Sequence, residues 1–272
     1  MNSFEWSLPT RIVYGPGQLH RLGELTRPFG KKAFLVTYPK KEKRAWILEK
    51  ALSSLEKEGI EVVLYDQVEP NPRVTTIDTG VKRFVESKAE VLVALGGGSV
   101  IDAAKFISST AYSGGSSWDY VILSYRKAKE YTGAYPIIAV STVSASGSEA
   151  NAGGVLTNWE TKEKSFSRSP YRIPKVAIID PEILASVPKE VTLDGGVDIF
   201  CHLIEFYLTS PFESEVADRI SEGLILTLME NLDRVLEDGN DRGPRTDRPL
   251  CSLRMVRTSG SGKDGIDSYS FY

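Results

Sequence analysis

Between residues 31 and 180, short β-branched runs alternate with amphipathic stretches of helical length, and few folds accept that alternation. Buried strands are predicted at 33–37 (AFLVT), 61–65 (EVVLY), 91–95 (VLVAL), 136–140 (PIIAV) and 176–180 (VAIID). Helices are predicted at 44–58, 75–88 and 100–111. The first carries Trp46, Ile47, Leu48, Leu52 and Leu55 at helical spacing and is stopped by Gly59. Strand–helix alternation at this interval gives an α/β fold with a Rossmann-like, mostly parallel sheet. After about residue 184 the strand signal vanishes, and 189–208 and 214–236 read as helices. The expected organisation is therefore an α/β domain at 1–184, then the start of an all-helical domain at 185–241.

Residues 242–272 fit neither pattern. They hold six Arg and Lys against three Asp, few aliphatic residues and no sustained period. A disordered basic tail would have this composition. Out-of-frame translation from near Asp241 accounts for it better, because two helices alone leave a helical domain unfinished.

Composition removes several classes of function. With 33 basic and 36 acidic residues the net charge is −3, which excludes a strongly basic nucleic-acid binder. No apolar run reaches membrane-spanning length, and the first 15 residues lack the profile of a secretory signal. Two cysteines, Cys201 and Cys251, make no disulfide framework, which fits a cytoplasmic protein. Cys201 is expected to be a small core residue.

The strongest local signal is Leu95-Gly96-Gly97-Gly98-Ser99 running into Val100-Ile101-Asp102-Ala103-Ala104-Lys105. A strand that enters three glycines and then a helix lets backbone N–H groups approach a phosphate at the positive end of the helix dipole. Ser99 is expected to cap that helix. A plain strand–turn–helix corner would look the same, and neither the ordinary Rossmann nor the P-loop fingerprint is present. A second small-residue segment, 141–151 (STVSASGSEAN), follows another strand and reads by itself as a surface loop. Its hydroxyls would also suit a nucleotide crevice. Asp198 and His202 stand at i and i+4 in the predicted helix 189–208. They read either as an ion pair or as two ligands of a divalent cation such as Fe or Zn, with Glu205 able to orient the imidazole.

At these residues the chain resembles the iron-containing (group III) alcohol dehydrogenase family. The likeness runs from Phe4 to about Asp241. It rests on Pro9-Thr10, Tyr14-Gly15-Pro16-Gly17, Val68-Glu69-Pro70-Asn71-Pro72, GGGSVIDAAK (96–105), SASGSEAN (144–151), PKVAIIDPE (174–182) and GVDIFCHLIEFYLT (196–209), all in family order. ASGSEANAGGVLTN and ETKEK look most like the NADPH-dependent butanol dehydrogenases and aldehyde reductases within it.

The resemblance implies hydride transfer between NAD(P)H and a small primary alcohol or aldehyde. Gly97, Gly98 and Ser99 would hold the cofactor pyrophosphate, with Asp102 nearby. Tyr38, Asn71, Thr142, Val143, Lys164 and Leu184 would line the crevice. Asp198 and His202 would be metal ligands, the metal polarising the substrate oxygen. Tyr38 replaces the Asp of NAD-preferring members and is followed by Lys40 and Lys41, which favours NADP over NAD. The family adds two further histidine ligands, yet no histidine follows His202. The alternatives are an inactive truncated fragment that binds only nucleotide, or a lyase or polyol enzyme of the same architecture (dehydroquinate synthase-like or glycerol dehydrogenase-like). Neither nucleic acid nor membrane is an expected partner, and the resemblance leaves room for a homodimer.

Overall fold

The computed structural model describes residues 8–39, 44–209 and 215–237. The strands are β1 (Arg11–Tyr14), β2 (Lys32–Thr37), β3 (Glu61–Tyr65), β4 (Val91–Gly96), β5 (Ile137–Ser141), β6 (Gly153–Asn158), β7 (Glu163–Arg168) and β8 (Val176–Ile179). The helices are α1 (Leu22–Thr26), α2 (Ala45–Lys57), α3 (Val74–Ser87), α4 (Gly98–Ser113), α5 (Pro181–Ala185), α6 (Lys189–Thr209) and α7 (Glu215–Glu237).

Six strands form one sheet in the order β1-β8-β5-β4-β2-β3, every pairing parallel. A parallel sheet is covered on both faces, which is why β2 and β4 read as nearly continuous apolar runs. Alternate side chains serve opposite cores. Phe34 and Val36 of β2 face Ile77 and Phe84 of α3 and Ile101 and Phe106 of α4. Ala33 and Leu35 face Leu22 of α1 and Ile47, Ala51 and Leu55 of α2. Phe34 is the aromatic centre of its side, stacked on Tyr65 and edge-on to Phe84, each at 5.5 Å.

The chain moves from β2 to β3 on one side of β2 and returns through α3 to β4 on the other. That reversal opens a crevice outside the carboxyl ends of β2 and β4, where open α/β sheets bind ligands.

Two elements depart from expectation. β1 is missing from the sequence-based list because four residues carry little periodicity and its partner β8 lies at the far end of the fold. The antiparallel hairpin β6–β7 is also missing, since GGVLTN and EKSFSR show glycine and charge rather than clean alternation. The hairpin rests on α4 through Leu156 and is fixed by Arg172, a fully buried guanidinium. Arg172 donates to the Ser167 and Ala152 carbonyls and lies 4.6 Å over Phe106 and 4.9 Å over Tyr131.

α6 and α7 pack together through Ile199, Leu203 and Leu228. Val197, Leu208, Ile220, Leu226 and Met229 of the same helices remain exposed, since two helices cannot bury both their apolar faces against each other. Cys201 is exposed, so the expectation of a core cysteine fails: it sits on the outer side of α6. Among the described residues no helix is long and apolar enough to cross a membrane. The segment 242–272, including Cys251, lies outside the described residues, as do Lys40 and Lys41.

Candidate functional site

β4 delivers Gly96 to the crevice floor, and Gly97 precedes the first turn of α4 in an extended conformation (φ −83°, ψ −168°). Ser99 is not the helix cap that the sequence suggests; it is the second residue of α4. Its hydroxyl accepts the Asn71 N–H at 3.2 Å. Asn71 takes a left-handed backbone (φ 57°) between two prolines. Its side-chain oxygen accepts the Lys164 ammonium at 2.9 Å. Three segments remote in sequence are thereby joined along the crevice rim: the β3–α3 loop, the start of α4 and the hairpin.

Tyr38 leaves the end of β2 and leans over the glycine turn. Burial pushes its phenol up from the ordinary value, so it stays neutral near pH 7, and the Gly97 backbone lies within hydrogen-bond reach of its oxygen. A Cβ added to Gly97 would meet Val143 at 3.5 Å and the Tyr38 oxygen at 3.6 Å, both ordinary van der Waals contacts. Thr142 donates its N–H to the Gly96 carbonyl at 3.0 Å and offers its own carbonyl to Arg44 at 3.3 Å. The 141–151 segment is no surface loop: Ser141, Thr142, Ser148, Glu149 and Ala150 are all buried.

Asp102 stands one turn beyond Ser99 on α4. It accepts the Ser148 hydroxyl at 2.6 Å and the Val155 N–H at 2.9 Å, tying loop and hairpin to α4. One turn on, fully buried Lys105 donates to Ser148 Oγ at 2.8 Å, Asn151 Oδ1 at 3.0 Å and the Gly153 carbonyl at 2.8 Å. Burial lowers its ammonium to about 7, against the pull of Asp102. Burial likewise raises the carboxyl of Glu149. This polar support under the crevice was not foreseen; the only trace in the sequence is a Lys on an otherwise apolar helix face. Leu184 is buried on α5 beyond the end of β8, two strands from the glycine turn.

Asp198 Oδ1 and His202 Nε2 lie 3.6 Å apart on one face of α6. Two donors bound at about 2.0–2.2 Å to a tetrahedral ion are separated by roughly 3.3–3.6 Å. The pair therefore has the bite of two ligands. Among the described residues no cluster of three His, Cys, Asp or Glu side chains forms, so Glu205 does not join Asp198 and His202 in one. Two corners of a metal site fit, and the described residues do not complete it. α6 is pressed against the crevice loop at Gly195, where a Cβ would stand 2.3 Å from the Ser144 carbonyl oxygen. Gly195→Ala is expected to push α6 outward and cost about 1–3 kcal/mol, read as a melting temperature lower by several degrees.

A family model described as iron-containing alcohol dehydrogenase matches residues 9–181. The chain belongs to the iron-containing alcohol dehydrogenase family. It is 38% identical over 238 residues to the probable NADH-dependent butanol dehydrogenase 1 of Bacillus subtilis, covering 88% of this chain and 60% of that protein. It is 34% identical over 238 residues to an NADPH-dependent aldehyde reductase of Escherichia coli, with the same shares of 88% and 60%. The crystal structure of an archaeal alcohol dehydrogenase from a Red Sea brine pool superposes with a TM-score of 0.88 at 35% identity. That match covers 94% of this chain and 65% of the archaeal one. The chain thus spans about 60–65% of the length of these relatives. The family match ends before α6, and the relatives divide by name between NADH and NADPH.

Proposed function

We propose that this chain binds NAD(P)H across the β2–β4 switch point and serves hydride transfer between that cofactor and a small primary alcohol or aldehyde. The observation that carries the reading is the glycine turn itself, an α4 N-terminus opening on a crevice at the reversal of strand order. Gly97, Gly98 and Ser99 take the pyrophosphate; Asn71 and Lys164 close one rim, and Thr142 and Val143 the opposite wall. Leu184 marks the far end. Asp102 stands near the pyrophosphate while its bonds to Ser148 and Val155 hold the turn. The division at 184/185 goes with this reading: residues before it hold the nucleotide, and α6 after it contributes Asp198 and His202.

Those two residues are ligands of a divalent ion, Fe or Zn, which in this family's chemistry polarises the substrate oxygen. The chain's own residues orient the dinucleotide, while the sheet ends and Val143 exclude water from the nicotinamide side. NADPH is the preferred form, because Tyr38 stands where a carboxylate would repel a 2′-phosphate. A cytoplasmic enzyme that acts on small molecules, with a homodimer as its assembly, fits this reading.

Titration of the intact chain with NADPH and with NADH, followed by quenching of tryptophan fluorescence, tests it. Saturable binding is expected for both, roughly tenfold tighter for NADPH. Tighter NADH binding sinks the cofactor preference, and binding of neither sinks the function. With Zn or Fe and butyraldehyde, turnover is expected to be slow, since two ligands hold such an ion weakly.

A further inference from the structure

Arg44 caps the N-terminal end of α2, immediately past the chain segment that leaves β2. Its side chain crosses the mouth of the crevice to the end of β5, where Nη2 donates to the Thr142 carbonyl at 3.3 Å. Nε is buried with no hydrogen-bond partner. Among the described residues no carboxylate pairs with it, and the one side chain that interacts with it electrostatically is the neutral phenol of Tyr38. A guanidinium keeps its charge at any ordinary pH and is costly to leave half-buried on a single long bond to a neutral carbonyl. Burial is also the main influence on its titration, which moves down.

The Tyr38 oxygen stands 3.6 Å from where a Gly97 Cβ would be, beside the turn whose donors would meet a phosphate. Arg44, which an anion would satisfy better, is held by an internal stand-in, the Thr142 carbonyl. Lys164, on the opposite rim, is engaged with Asn71.

We propose that Arg44 is a phosphate-binding residue of this crevice, leaving the Thr142 carbonyl on cofactor binding and turning its guanidinium onto the pyrophosphate above the glycine turn. The proposal rests on the reading of the crevice as a dinucleotide site. Its planar fork suits two phosphate oxygens at once, and its Nε supplies the second donor. The pyrophosphate is common to NADPH and NADH, so both cofactors depend on it.

The test titrates intact wild-type, Arg44→Ala and Arg44→Lys chains with NADPH and NADH, while circular dichroism and melting curves confirm the fold. Arg44→Ala is expected to weaken both cofactors by roughly 10- to 100-fold. Arg44→Lys recovers part of the loss, and added salt weakens wild type more than Arg44→Ala. Loss confined to NADPH overturns the pyrophosphate assignment and places Arg44 at the 2′-phosphate instead. Affinities within about twofold of wild type for both cofactors, in a folded variant, overturn the proposal and leave the function standing. If wild type binds neither cofactor, the function fails first. Should Arg44→Ala not fold, Arg44→Lys decides, since an ammonium cannot reproduce the fork and affinity must still fall.

Discussion

Gly97→Ala is expected to leave the fold intact and to cut NADPH and NADH affinity by roughly 30- to 100-fold. Both halves follow from the same geometry. The Gly97 backbone is extended at φ −83°, ψ −168°, which any residue adopts, and a Cβ there meets its neighbours at ordinary contact distances of 3.5 and 3.6 Å. Nothing in the protein is displaced, so the melting temperature should stay within about two degrees of wild type. The new methyl instead occupies the space through which a pyrophosphate reaches the first N–H groups of α4. Those charge-assisted bonds are each worth about 1.5–3 kcal/mol. Fluorescence titration beside a melting curve separates the outcomes. Unchanged affinity would mean that no phosphate approaches this turn.

Lys105→Met should do the reverse and damage the scaffold. The ammonium holds three acceptors from the loop and hairpin, at 2.8, 3.0 and 2.8 Å. Methionine has similar length and no donors, so Ser148, Asn151 and Gly153 lose a shared partner and Asp102 loses its neighbouring cation. Breaking a buried charged network in this way costs about 3–5 kcal/mol. At this chain length that corresponds to a melting temperature lower by roughly 6–15 °C. The pH dependence adds a second readout. Lys105 titrates near 7 when folded, below its ordinary 10.5, so between those values the unfolded chain binds more protons and stability rises with pH. Below about 7 both states are protonated and the burial penalty is fully present. The methionine variant lacks that gain, so its deficit against wild type should widen from pH 7 towards 10 in chemical denaturation. A deficit that is flat or shrinks with pH would contradict the placement of this lysine.

The same contrast explains what could be read from the residues. The central strands were legible because both of their faces are buried: AFLV and VLVAL have no polar side to blur the run, and Gly59 ends the helix it follows. The pairing of Asp198 with His202 was legible because i,i+4 spacing is a property of one helix. What escaped depends on contacts between distant segments. Ser99, Asn71 and Lys164 meet only after the sheet has formed, and β6–β7 is held by Arg172 from beyond its own ends. Ser99 reads as a cap because a hydroxyl beside glycine is the usual signature, whereas the backbone here starts the helix two residues earlier, with Gly97 at the cap. Arg44 was invisible for a related reason: its partner, Thr142, follows β5, 98 residues away.

One pairing bears on how the chain comes to be folded. β1 leaves the ribosome well before its neighbour β8, and the Thr10 hydroxyl that anchors it reaches the Pro174 carbonyl, 164 residues later. At about 5–20 residues per second, roughly 8 to 33 seconds of synthesis pass before the two can meet. During that interval β2 to β5 can assemble around their own helices, and the nascent N-terminal strand has nothing to hydrogen-bond but water, itself or a chaperone. Closing the sheet is therefore a late event, and the speed of translation through residues 137–179 decides how long an unpaired β-strand is on offer to other chains.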